Sequence, residues 1–80
     1  MNLTVLLFGI STDLVGTTSL SFSLSSGSSV LQLKDKLQKQ YPQLLQINSY
    51  AIAVNESYAS DELVLKDNDV VAIIPPVSGG

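Results

Sequence analysis

Helical spacing is sustained over only one long segment of this chain. Ser29, with Gln32 three residues on, matches a capping box, and Val30, Leu33 and Leu37 repeat on one helical face. Pro42 disfavours helical geometry at Tyr41, so a helix is predicted from Ser29 to about Tyr41. One helix buries one stripe and covers one face of one sheet, so the remaining apolar residues must supply strands packed beneath it. The 80 residues, 45% of them hydrophobic, hold material for one core, since a chain this short buries little more than ~60% of its unfolded surface.

The strands are read from alternation. Leu3, Val5 and Leu7 alternate with Thr4, Leu6 and Phe8 until Gly9 ends the pattern, and Leu20, Phe22 and Leu24 alternate with Ser19, Ser21 and Ser23. Between them Ser11 to Val15 is expected to form one helical turn, with Ser11 or Thr12 as N-cap and Gly16 closing it. Ser25 to Ser29 is a Ser/Gly turn into the main helix, and Gln43 to Ser49 reads as an irregular crossing back to the sheet. Tyr50 to Val54 is a strand, Asn55 and Glu56 a turn, Ser57 to Leu65 a short strand and loop, Lys66 to Asp69 a polar turn and Val70 to Ile74 the last strand. The order strand, strand, helix, strand, short strand, strand is that of the β-grasp, or ubiquitin-like, architecture: an α+β fold with one main helix on one face of a mixed sheet. A single domain over residues 1–80 is expected, with 75–80 an extended C-terminal tail.

The residues that are missing narrow the chemistry. Without His or Cys the chain builds no His-activated nucleophile, thiolate site or usual zinc site. No Gly-rich loop of phosphate-binding spacing joins a strand to a helix, so any ATP is used by another protein. Asp61 and Glu62 are neighbouring acids, but on an exposed polar segment such a pair rarely acquires the shifted pKa values that acid/base work requires. The net charge of −3, the absence of Arg and the grouping of Lys34, Lys36 and Lys39 in one segment argue against nucleic acid. Glu56, Asp61, Glu62, Asp67 and Asp69 concentrate acid in the last third, readable either as attraction for a basic partner or as solvated loop charge. The apolar run Leu3 to Phe8 is far shorter than the roughly 20 residues of a membrane span, so no membrane partner is expected, and the lack of cysteine makes the cytoplasm the default setting.

The sequence ends Pro75-Pro76-Val77-Ser78-Gly79-Gly80 directly after the last strand. Two prolines stop sheet pairing and project the residues beyond them as a stiff extended segment. Gly79 and Gly80 carry no side chains, so such a tail fits a narrow channel and brings a backbone carboxylate to a reacting centre. That carboxylate, with a reference pKa near ~3.5, is an unreactive anion at neutral pH and needs activation, for example as an acyl-adenylate made by a partner enzyme. The bland reading is a frayed polar end, and a terminal Gly-Gly arises by chance in about one chain in 200.

With the strand ending in Phe8, the turn closing Leu14-Val15-Gly16, Tyr41-Pro42, Ala53-Val54-Asn55 and above all Val71 to Gly80, the chain resembles the MoaD-type small subunits of molybdopterin synthase, within the MoaD/ThiS family of ubiquitin-like sulfur carriers. The resemblance implies that Gly80 is adenylated by a MoeB-type activating enzyme, related to the ubiquitin-activating enzymes and using ATP and Mg, and is then converted to a thiocarboxylate (1-thioglycine) with sulfur from a donor protein. It also implies that a MoaE-type large subunit takes Pro75, Pro76, Val77, Ser78, Gly79 and Gly80 into its active site, in a heterotetramer, where the sulfur passes to cyclic pyranopterin monophosphate in molybdenum cofactor biosynthesis. The chain itself would bind no cofactor and would not be catalytic alone. One departure is Gly9-Ile10-Ser11-Thr12-Asp13, where family members often carry Ala and then charged residues; it bears on local helix stability. Alternatives are a thiamine-type sulfur carrier, a ubiquitin-like modifier forming isopeptide bonds, and a plain interaction module.

If Leu3, Val5, Leu7, Val71 and Ile73 face the helix, period 2 sends Leu6, Phe8, Ala72 and Ile74 to the opposite sheet face, with Ala51 and Ala53 beside them. An apolar face of that kind on a small domain marks a partner interface, unless Phe8 or Ile74 tucks under a loop.

Overall fold

A computed structural model of the chain describes residues 1–47 and 49–76. The elements run β1 (Asn2–Leu7), α1 (Ile10–Val15), β2 (Ser19–Ser23), α2 (Val30–Gln40), a 3-10 helix (Pro42–Gln46), β3 (Ala51–Val54), β4 (Ser57–Tyr58) and β5 (Val70–Ile74). The five strands form one sheet in the order β2-β1-β5-β3-β4. β1 and β5 run parallel, and the other neighbours are antiparallel. This is the α+β, β-grasp arrangement expected from the element order.

The core lies between one sheet face and α2. Leu3, Val5 and Leu7 of β1, Val71 and Ile73 of β5 and Ile52 of β3 are buried with Val30, Leu33 and Leu37 of the helix. The helix start is fully accounted for, as a buried helix end must be. Ser29 Oγ accepts from the Gln32 N–H at 3.3 Å, while Gln32 Oε1 accepts from the Ser29 N–H at 2.8 Å, completing the expected capping box. The Val30 and Leu31 N–H groups donate to the carbonyls of Leu63 (2.9 Å) and Asp61 (3.0 Å), so the loop before β5 is docked onto the helix end.

Two local expectations change. Neither Ser11 nor Thr12 caps α1, whose N-cap is Gly9. The helix begins directly after β1, so both hydroxyls bond back to strand-end carbonyls: Ser11 Oγ to Phe8 O, and Thr12 Oγ1 to Leu7 O at 2.9 Å. Gly16 closes the turn as expected, left-handed at φ 90°, its N–H donating to Thr12 O at 2.8 Å. The crossing after Pro42 is a 3-10 helix rather than irregular chain, because Pro42 at its first turn has the φ a helix start needs and no N–H to waste. That helix seats Leu44, fully buried, in the core.

β2 is an edge strand of the sheet. Its inward bonds, Leu7 N–H to Thr18 O and Leu24 N–H to Met1 O, leave the backbone of Ser19, Ser21 and Ser23 facing outward. Both ends of that edge are occupied from within the chain. Thr17 Oγ1 donates to Ser19 O at 3.0 Å and receives a longer contact, 3.4 Å, from Ser19 N–H. Lys36 Nζ donates to Ser23 O at 3.2 Å and lies 5.9 Å from the centre of the Phe22 ring.

Candidate functional site

Because β1 and β5 are parallel neighbours, they end on the same side of the molecule, with Phe8-Gly9 beside Ile74-Pro75. At Gly9 the backbone has φ 55° and ψ −136°, a conformation open to glycine and costly to other residues, and a Cβ there would lie 3.7 Å from Pro75 Cγ. The corner is held by Ser11, fully buried, whose Oγ accepts from the Phe8 N–H at 3.1 Å and donates to the Phe8 carbonyl. The root of the tail, with Pro75 half-buried and Pro76 exposed, therefore leans on a braced corner. Val77, Ser78, Gly79 and Gly80, expected to carry the tail and its chemistry, lie outside the described residues.

The sheet face turned away from α2 divides into two zones. Cross-strand partners share a face, so the pairs Leu6 with Ser19, Thr4 with Ser21 and Asn2 with Ser23 set a hydroxyl- and amide-bearing strip along β2. Toward β5, β3 and β4 the same face is apolar: Leu6, Phe8, Ala72 and Ile74 line an open groove of about 710 Å³ together with Ala53, Tyr58 and Val70. The four residues expected on this face are thus brought together. Phe8 is 50% exposed and does not tuck under a loop; Ile74 is half-buried. Ala53 joins the groove, flanked in the sheet by Tyr58 and Ala72. Ala51, exposed beside Ile74, instead borders a smaller hollow of about 390 Å³ with Tyr58, Pro75 and Pro76.

Val70 shares the face of Ala72 and Ile74 by the same alternation, whereas Tyr58 and Glu56 are groove residues that alternation alone does not reveal. The signal was present in the hairpin: a two-residue connection, Asn55-Glu56, pairs Val54 with Ser57 and Ala53 with Tyr58, which puts the 78%-exposed Tyr58 on the face of Ala53.

The acidic residues divide by their bonds. Asp61 forms an ion pair with Lys34 at 3.0 Å, Asp67 Oδ1 accepts from the Asn2 N–H at 2.7 Å, and Asp69 accepts from Asn55 Nδ2 at 2.9 Å and from the Lys66 N–H at 2.8 Å. These carboxylates staple turns and loops. Among the described residues, no three His, Cys, Asp or Glu side chains converge as metal ligands, and no helix is long and apolar enough to cross a membrane. The arrangement is an apolar groove beside the braced corner at which Pro75 and Pro76 leave the sheet.

Comparison with known proteins agrees with this geometry. The ThiS family matches residues 5–80. The molybdopterin synthase sulfur carrier subunit of Arabidopsis thaliana is 38% identical over 77 residues, covering 95% of this chain and 80% of the relative. Among solved structures, a putative molybdopterin converting factor subunit 1 from Pyrococcus furiosus superposes with a TM-score of 0.88 at 28% identity, covering 96% of this chain and 99% of that one. A chain from the complex of subunits 1 and 2 of the molybdopterin-converting factor of Helicobacter pylori superposes with a TM-score of 0.72 at 26% identity, over 100% of both chains. The chain belongs to the ThiS family, and its relatives include molybdopterin synthase sulfur carrier subunits.

Proposed function

We propose that this chain is a sulfur-carrier subunit of molybdopterin synthase and that its working group is the carboxylate of Gly80. A MoeB-type activating enzyme uses ATP and Mg: the carboxylate oxygen attacks the α-phosphate, pyrophosphate leaves, and a glycyl adenylate forms. Sulfide-level sulfur delivered by a donor protein then attacks the acyl carbon, the acyl–phosphate bond breaks, and AMP leaves a thiocarboxylate behind. A MoaE-type large subunit takes up Pro75 to Gly80, and the terminal sulfur passes to cyclic pyranopterin monophosphate. The setting is the cytoplasm.

The observation that carries this reading is the juxtaposition of the apolar groove with the tail root. A partner seated on Leu6, Phe8, Ala72 and Ile74 lies where Pro75 leaves the sheet, so docking and delivery of the terminus become one event. The chain has no Arg and a net charge of −3, so the cations that a phosphate-bearing substrate needs belong to the partner.

Intact-mass analysis after incubation with ATP, a MoeB-type enzyme and a sulfur source tests the carrier role. One oxygen-to-sulfur exchange confined to Gly80 is expected. An unchanged mass under conditions where a known carrier is converted would refute it. Binding to a MoaE-type large subunit, rather than to a partner from thiamine synthesis, separates the two sulfur-carrier readings.

A further inference from the structure

β3 and β4 are joined by Asn55 and Glu56, both in the left-handed region, at φ 50° and 72°. A two-residue hairpin loop with positive φ at both positions favours Asn-Gly. Asn55 suits its place: its N–H donates to Val70 O at 2.8 Å, its Oδ1 accepts from the Val70 N–H at 3.0 Å and its Nδ2 donates to Asp69 at 2.9 Å. Glu56 does not suit its place by backbone preference, since a side chain other than Gly, Asn or Asp is disfavoured there. The turn is pinned to β5 and cannot relax without losing those bonds.

What this position gives the glutamate is a location. Glu56 lines the rim of the apolar groove and is the one charged residue among those lining it. Unlike Asp61, it has no ion-pair partner among the described residues. It also lies at the end of the sheet opposite the tail. β5 runs from Val70, beside the turn, to Ile74, at the tail root, and four residue steps of ~3.3 Å separate the two ends by roughly 13 Å.

Building on the proposed function, we infer that Glu56 is the electrostatic contact that sets register on this face. The protein covering the groove places an apolar ridge on Phe8, Ala72 and Ile74 and a Lys or Arg against Glu56, about 13 Å from the mouth of the channel that takes the tail. Two points on one axis, a cation at one end and the tail at the other, fix the orientation that apolar contact alone leaves free. A second copy of this chain is the poorer occupant, because no lysine lines its groove to answer Glu56.

The test is titration of a MoaE-type large subunit from the same source with the full chain and three variants. Glu56→Gln keeps the backbone conformation and removes the charge; it is expected to weaken binding about fivefold at low ionic strength, a loss that shrinks as salt is added. Glu56→Gly is expected to weaken binding equally while melting no earlier than the parent chain, since glycine accepts the left-handed turn. Ile74→Glu is expected to abolish binding. Glu56→Gln binding within twofold of the parent at every salt concentration, with Ile74→Glu inactive, would overturn the Glu56 contact and leave the groove reading standing. No binding by the parent chain, or a self-dimer that Ile74→Glu dissolves, would overturn both.

Discussion

Ser11→Ala removes one oxygen from the interior and asks how firmly the corner beneath the tail is held. Ser11 is fully buried, and its Oγ takes the Phe8 N–H at 3.1 Å while donating to the Phe8 carbonyl. The Phe8 carbonyl loses one donor but keeps the Ser11 N–H at 3.2 Å. Losing the hydroxyl's bonds to the Phe8 backbone inside the corner costs ~1–3 kcal/mol, and alanine returns ~0.5 kcal/mol through its better helix propensity in α1. The net loss is ~1.5 kcal/mol, from the midpoint of that range less the propensity gain. For a domain of this size each kcal/mol moves Tm by about 4–8 °C, so melting is expected about 6–12 °C lower. Urea unfolding followed by circular dichroism should show a lower midpoint at unchanged slope, because the surface exposed on unfolding is the same. The exposed Ser21→Ala serves as the control and should not move. A loss for Ser11→Ala below about 0.5 kcal/mol, the range of an ordinary surface substitution, would mean that water replaces the hydroxyl and that Ser11 does not brace the corner.

Three other outcomes are expected. Leu44→Ala, in the 3-10 helix, empties a fully buried site and should cost ~2–4 kcal/mol, measured by chemical denaturation. Phe8→Glu is expected to fold, as judged by an unchanged far-ultraviolet spectrum, yet to lose association with a MoaE-type large subunit in a titration; unchanged affinity would remove Phe8 from the interface. Deleting Gly79 and Gly80 should abolish the oxygen-to-sulfur exchange without shifting Tm, whereas lysine conjugates on a blot that vanish with the same deletion would favour the protein-modifier reading.

The parts of the fold that were legible in the sequence are those set by neighbours a few residues apart. The Ser29–Gln32 capping box acts within one helical turn, and the outward placement of Leu6, Phe8, Ala72 and Ile74 comes from the period of a strand. Leu44 was not legible, since a 3-10 turn after Pro42 lacks the spacing that identifies a longer helix, and its burial depends on α2 and α1 closing around it. Nor were Tyr58 and Glu56, because their face depends on the register of β4 against β3. Ser11 shows a subtler limit: a serine at a helix start reads as a cap, and only the abrupt strand-to-helix junction turns its hydroxyl back toward Phe8.

The bonds that occupy the β2 edge bear on how this molecule keeps company with others. From Leu14 to Leu33 the chain has no charged side chain, so the strand itself offers no repulsion against a neighbour's strand adding to the sheet. Deterrence comes instead from two outside groups, the Thr17 hydroxyl and the Lys36 ammonium, which hold the Ser19 and Ser23 backbone that an incoming strand would need. The lysine has the larger share, because its charge must be stripped of water or displaced before a new strand can zip past Phe22. Acetylation of Lys36 would therefore be felt less in the melting temperature than in colloidal behaviour, as a lowered concentration threshold for edge-to-edge polymerisation.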